Sequence, residues 1–123
     1  MIQDSGAVDP RHQKRVKVMQ KLFAQSFQDQ DLVEDSLANK IFESQTKLDK
    51  IIQEFAPERP LKDINKVDLA ILRLIVFESM NKKTPKKVLI NEAVELAKEF
   101  GSDGSPKLVN GVLGKLFEKQ LQV

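Results

Sequence analysis

The 123-residue sequence contains no cysteine, no tryptophan, no tyrosine and a single histidine, His12. Without cysteine there is no disulfide framework and no thiolate metal site, which fits a reducing compartment. One histidine and no cysteine cannot assemble a histidine-based triad or a zinc site of the usual nitrogen and sulfur ligands. Neither a G-x-x-x-x-G-K-[ST] nor a G-x-G-x-x-G phosphate loop occurs. Carboxylate pairs such as Glu92 and Glu95 have the three-residue spacing of an ordinary solvated helix face. The inventory argues against an enzyme, and no cofactor or metal is expected. Long apolar runs are missing too. The most apolar segment, Leu69 to Phe77, is nine residues long and contains Arg73, far short of the ~18 residues that a membrane span needs. The first residues carry neither a basic nor an apolar signal region, so a cytoplasmic location is expected.

What is present is helical patterning and one local excess of charge. Net charge is only +2, yet the 19 residues from Pro10 to Gln28 hold five bases and no acid. A basic segment on a near-neutral body points to an anionic partner at one place. Residues 1–9 lack periodicity and read as a disordered tail. Asp9-Pro10 reads as an N-cap followed by proline at the first helical position. Val16, Met19, Phe23 and Phe27 then follow at spacings of three and four, one face of a helix, with Lys14, Lys17 and Lys21 opposite.

A second helix is predicted from about Val33 to Phe55, with Leu37, Ile41, Leu48, Ile51 and Phe55 inward and Ser44 within it; Pro57 and Pro60 end it. Asn65 with Asp68 resembles a capping box that opens a third, nearly all-apolar helix to about Met80. A fourth carries Ile90, Ala93, Val94, Ala97 and Phe100 inward and stops at Gly101. Ser105-Pro106 opens a fifth, with Val109, Val112, Leu113, Leu116 and Phe117 apolar. No segment alternates as a strand does. The fold class is all-α, with about five to six helices in two small bundles, residues 10–57 and 61–121, packed into one domain.

Two ordered runs carry a resemblance. Residues 90–101 read INEAVELAKEFG and residues 107–113 read KLVNGVL, similar to the INEA-x-x-LAK-x-FG and KFVNGVL runs of the bacterial NusB transcription antitermination family. VDLAILRLIVFE over residues 67–78 and the pattern Arg11, Arg15, Gln20, Leu22, Phe23 resemble that family's central and opening helices. The resemblance covers Pro10 to about Lys119. It departs at residues 28–33, a shorter connection that implies one missing short helix, and at His12, Gln13 and Gly104, where other residues are common.

The resemblance implies an RNA-binding antitermination factor. Its ligand would be boxA-like single-stranded RNA of ribosomal RNA leaders. Its partners would be the small-subunit ribosomal protein NusE and the RNA polymerase antitermination complex. The alternative is a protein-binding adaptor with the same fold and no RNA affinity. Arg11, Lys14 and Arg15 are expected to grip phosphates, while His12 either stacks on a base or is an ordinary surface residue. Lys107, Asn110 and Lys115 are expected RNA contacts beside Gly111 and Gly114, glycines that serve either close helix packing or close approach of RNA. Asp68, Leu69 and Leu72 resemble the family's partner-binding surface, with burial as the competing reading for both leucines. Arg73 must reach solvent, a carboxylate or a ligand, and pairing with Glu78 or Glu92 is favoured over RNA contact.

Overall fold

Asp9 caps the first helix as its sequence suggests: its carboxylate accepts the Arg11 N–H at 2.9 Å and its carbonyl accepts that of Gln13 at 3.0 Å. From there the chain, described for residues 9–28 and 35–121 in a computed structural model, forms six α-helices and no strand among those residues. They are α1 (Pro10–Gln28), α2 (Ser36–Glu43), α3 (Gln45–Glu54), α4 (Lys66–Asn81), α5 (Lys86–Phe100) and α6 (Ser105–Leu121), with a 3₁₀ turn at Leu61–Asp63. The expected tail before residue 9 and the shortened connection after residue 28 lie outside the described residues.

The helix predicted from Val33 to Phe55 is two helices, broken at Ser44. Ser44 sits at φ −92°, ψ 6° and donates its N–H to the Ile41 and Lys40 carbonyls, closing α2 before α3 begins. Asp35 caps α2 by accepting the Ala38 N–H at 3.0 Å. Residues 33 and 34 are outside the described set.

α4 is the central element and packs against α1, α2, α3, α5 and α6. Its Ile71, Leu72, Leu74, Ile75 and Val76 are all buried. A helix apolar on nearly every side is stable only when surrounded, and each such side chain contributes about 1.5–3 kcal/mol by leaving water. Asn65 caps it, accepting the Val67 N–H at 2.7 Å, but Asp68 does not complete the box and instead turns into the interior. One apolar cluster runs from Val18, Met19 and Leu22 of α1 through Ile41, Leu48 and Ile52 to Val109, Leu113 and Phe117 of α6.

Two helix faces are set differently from the periodicity. On α1 the buried apolar residues are Val18, Met19 and Leu22, while Val16 and Phe23 are half-buried and Phe27 is 62% exposed. Phe27 meets Phe23 edge-on at 5.0 Å and carries the Lys66 ammonium 5.2 Å over its ring. On α5 it is Leu89, Ala93, Leu96 and Ala97 that are buried, with Ile90, Val94 and Phe100 at the margin. Ser105 is already the first residue of α6, and its hydroxyl accepts the Ser102 N–H at 2.9 Å, closing the preceding turn. Arg73 pairs with neither Glu78 nor Glu92. Its Nε and Nη2 donate to Asp49 at 2.8 and 2.9 Å, fastening α4 to α3, because both glutamates are taken from the other side by α1.

Candidate nucleic-acid interface

α1 lies along α4, and His12 and Arg15 leave it on the flank that meets α4 and α5. Arg15 donates from Nε and Nη2 to the two Glu78 oxygens at 2.9 and 2.6 Å, and from Nη1 to Glu92 at 2.9 Å. The Arg15 and Glu78 side chains are only 12% and 8% exposed. Thr84 adds its hydroxyl to Glu78 Oε2 at 2.9 Å. The Glu78 hydrogen bonds raise the already basic Arg15 further against the opposing effect of burial. Burial pushes the Glu78 carboxyl up, but the bonds from Arg15 and Thr84 and the nearby cations outweigh it and hold it below its usual range.

His12 stands between two acids, with Nδ1 3.1 Å from Glu92 and Nε2 2.6 Å from Glu99. A neutral imidazole has one N–H, so donating to both carboxylates takes the imidazolium. Burial of the ring lowers its pKa, but the hydrogen bonds and charges of Glu92 and Glu99 win and raise it. His12 and Arg15, both expected at RNA, are therefore engaged inside the molecule. Arg11 and Lys14 are exposed and form no ion pair with a described residue. They border a cleft of about 210 Å³ whose charged lining is Arg11, Lys14, Arg15 and Lys82 against the single acid Glu78.

The other expected residues meet at a second place. A groove of about 590 Å³ runs between the α3–α4 connection and α6, lined among others by Arg59, Asp68, Gly104, Lys107, Gly111 and Lys115. Its charges balance, with Arg59, Lys107 and Lys115 facing Glu58, Asp63 and Asp68. Asp68 is 4% exposed and its Oδ1 has no hydrogen-bond partner among the described residues. Burial raises its pKa, opposed by a hydrogen bond from Ser105 and the charge of Arg59. The two clefts share no lining residue, so Lys107 and Lys115 do not join Arg11 and Lys14 in one cleft. Asn110 is exposed but is not part of either lining.

The partner surface expected from Asp68, Leu69 and Leu72 is corrected by burial. Leu69 and Leu72 are 9% and 0% exposed and belong to the core, because α4 packs against five other helices, and Asp68 alone reaches a groove. Gly111 and Gly114 do not serve close packing against the described residues, since among these a Cβ at either meets nothing within 4 Å. Gly101 is the glycine that packing requires: a Cβ there would collide with Ser105 and lie 2.8 Å from the Ala97 carbonyl oxygen.

Sequence reasoning missed Glu99, Lys82 and Arg59 as site residues. Glu99 meets His12 across 87 residues, and Lys82 and Arg59 join clefts completed by other elements, assemblies for which local spacing carries no signal.

Residues 7–118 match the NusB family. Transcription antitermination protein NusB of Chloroflexus aggregans is 51% identical over 83 residues, covering 65% of this chain and 55% of that protein. The protein of the same name from Campylobacter curvus is 40% identical over 124 residues, covering 86% of this chain and 95% of the relative. A solved structure of T. maritima NusB superposes with a TM-score of 0.79 at 28% identity, covering 94% of this chain and 99% of that one. The chain thus spans little more than half the length of the Chloroflexus relative, as it does of a Roseiflexus protein of the same name at 49% identity, and nearly all of the other two. The family match begins before α1 and ends inside α6, taking in every helix described above, and the chain belongs to the NusB family.

Proposed function

We propose that this chain is an RNA-binding transcription antitermination factor. It holds boxA-like single-stranded RNA of ribosomal RNA leaders together with the small-subunit ribosomal protein NusE, within the RNA polymerase antitermination complex of the cytoplasm. Proteins of its family are not enzymes, and its role is binding. The observation that carries the RNA reading is the cleft beside α1, where Arg11 and Lys14 stand exposed and without acid partners among the described residues, amid a surplus of positive charge. The groove at Asp68 suits the protein partner better. Its charges balance, and Gly104 and Gly111 leave its lining open to another backbone.

Titration of boxA-like RNA against the chain, with and without NusE, tests both assignments. The double variant Arg11→Ala, Lys14→Ala should flatten the salt slope of log K by about 1.4, at roughly 0.7 for each phosphate no longer neutralised. Lys107→Glu with Lys115→Glu should weaken the heterodimer and leave that slope unchanged. The opposite pattern, with RNA lost through Lys107 and Lys115 and the partner retained, would exchange the roles of the two clefts. The engagement of His12 and Arg15 by acids favours a second reading, a protein-binding adaptor without RNA affinity. A parent chain that binds NusE but gives no RNA signal even in the heterodimer would establish that reading instead.

A further inference from the structure

The first turn of α1 is capped by Asp9 but barely covered. Asp9, Pro10, Arg11, Gln13 and Lys14 are all exposed, and the first buried residue of the helix is Val18. Arg15 anchors the next turn through its bonds to Glu78 and Glu92. Ahead of Arg15 only His12 turns inward. Its side chain is 15% exposed, and among the described residues its contacts with Glu92 and Glu99 are the only hydrogen bonds from this turn to another helix. Both depend on one proton, because a neutral ring keeps a single N–H and turns a lone pair on the other carboxylate. The charged groups around the ring are Glu92 and Glu99 of α5, Arg15 beside it on α1, and Glu78 of α4 behind Arg15. Arg15 donates to the same Glu92 oxygen that faces Nδ1, so Glu92 keeps a partner without His12. Glu99 accepts from no other described residue.

We propose that His12 is a proton-dependent latch that docks the first turn of α1 on α5. As the imidazolium it joins Glu92 and Glu99 and holds the turn down. As the neutral imidazole it points an unprotonated nitrogen at a carboxylate and lets residues 9–14 open, with Arg15 as the pivot. The inference concerns the fold and does not depend on the RNA reading, although Arg11 and Lys14 ride on the turn that moves. No side chain of that turn belongs to the apolar core, so its opening is local and breaks little besides the two bonds of the ring. Arg15 holds throughout, because its guanidinium stays charged and Glu78 is kept ionised. Burial lowers the pKa of the ring, but Glu92 and Glu99 together raise it by more. The latch is therefore shut below the ordinary histidine value near 6.5 and opens as pH rises through the higher folded value.

His12 is the sole histidine and the chain has no cysteine, so imidazole NMR follows the latch proton directly and one introduced thiol carries a label to one place. A nitroxide on Gln13→Cys of the full chain should be ordered at mildly acidic pH and become mobile as pH rises, with the same midpoint as the imidazole. The same label on Lys17→Cys, an exposed position beyond Arg15, should not change. With the label on Gln13→Cys, His12→Gln should be mobile at every pH. His12→Arg, which keeps its charge, should stay ordered across the range. Glu99→Gln should move the imidazole and label midpoints down together. A Gln13→Cys label whose mobility ignores the imidazole titration would overturn the latch, as would a His12→Arg chain that follows the parent's course. Loosening of the Lys17→Cys label at the same pH would mean that the whole helix moves and would overturn it too.

Discussion

Arg15 and Arg11 stand one helical turn apart and look alike in the sequence, yet the structure gives them different work. Arg15 neutralises Glu78 where both side chains are nearly closed off from water. Removing one partner of such a pair leaves a buried charge uncompensated, so Arg15→Ala should destabilise the fold by about 3–5 kcal/mol. Arg11→Ala, at an exposed position, should stay within about 0.5 kcal/mol of the parent in the same denaturant titrations. Equal costs would mean that the Arg15 pair is not buried in solution. His12 gives a pH dependence whose sign is fixed by its geometry. Its folded pKa is raised, so its contribution is complete below its ordinary value near 6.5 and is lost as pH rises through the higher folded value. Glu78 works from the other side, with a lowered pKa whose contribution is present above the usual carboxylate range and is lost as pH falls through it. Denaturation midpoints of the parent and His12→Gln should therefore converge as pH rises through the folded His12 pKa. A difference independent of pH would remove the paired imidazolium.

At the scale of the element, the glycines of α6 separate folding from binding. A glycine inside a helix costs about 1 kcal/mol relative to alanine, and Gly111 and Gly114 have open space where a Cβ would go. Gly111→Ala and Gly114→Ala should each stabilise the chain by up to about 1 kcal/mol, whereas Gly101→Ala should destabilise it because Ser105 and the Ala97 carbonyl occupy that space. Thermal melts of the three variants check this ordering. Gly111 lines the Asp68 groove, so Gly111→Ala should also weaken NusE binding while raising the melting temperature. A gain in both would show that the open backbone at Gly111 serves no partner.

For the molecule as a whole, α4 contacts all five other helices and one apolar cluster spans both halves of the chain. We propose that residues 10–57 and 61–121 are halves of one cooperative unit, and a single calorimetric transition with matching van't Hoff and calorimetric enthalpies is the expected result. Two resolved transitions would make them separate domains. Two ligands on separate clefts of one such body can be linked through it. If NusE strengthens RNA binding by some factor, RNA must strengthen the NusE contact by the same factor, with couplings typically about 1–3 kcal/mol. Isothermal titration around the closed cycle measures both.

The sequence by itself determined the helical class, the proline and cap boundaries at Asp9, Asn65 and Gly101, the centrality of α4 and the apolar residues of α6. Each of these is written in local chemistry: a cap offers an acceptor to the next turn, a proline lacks an N–H, and an all-apolar helix must be enclosed. The family runs at residues 90–101 and 107–113 were legible for the same reason, as contiguous text. Only the tertiary structure decided which cations are free. That Arg15 and His12 belong to Glu78, Glu92 and Glu99, that Arg73 belongs to Asp49, and that Lys82 stands across a cleft from Lys14 depends on pairs 24 to 87 residues apart where bonds form and on a shared lining where they do not. The small rotations that bury Leu22 and Leu96 in place of Phe23 and Val94 belong with them. Periodicity gives a helix an apolar side, but the neighbours that fill the space against it choose which residues are covered.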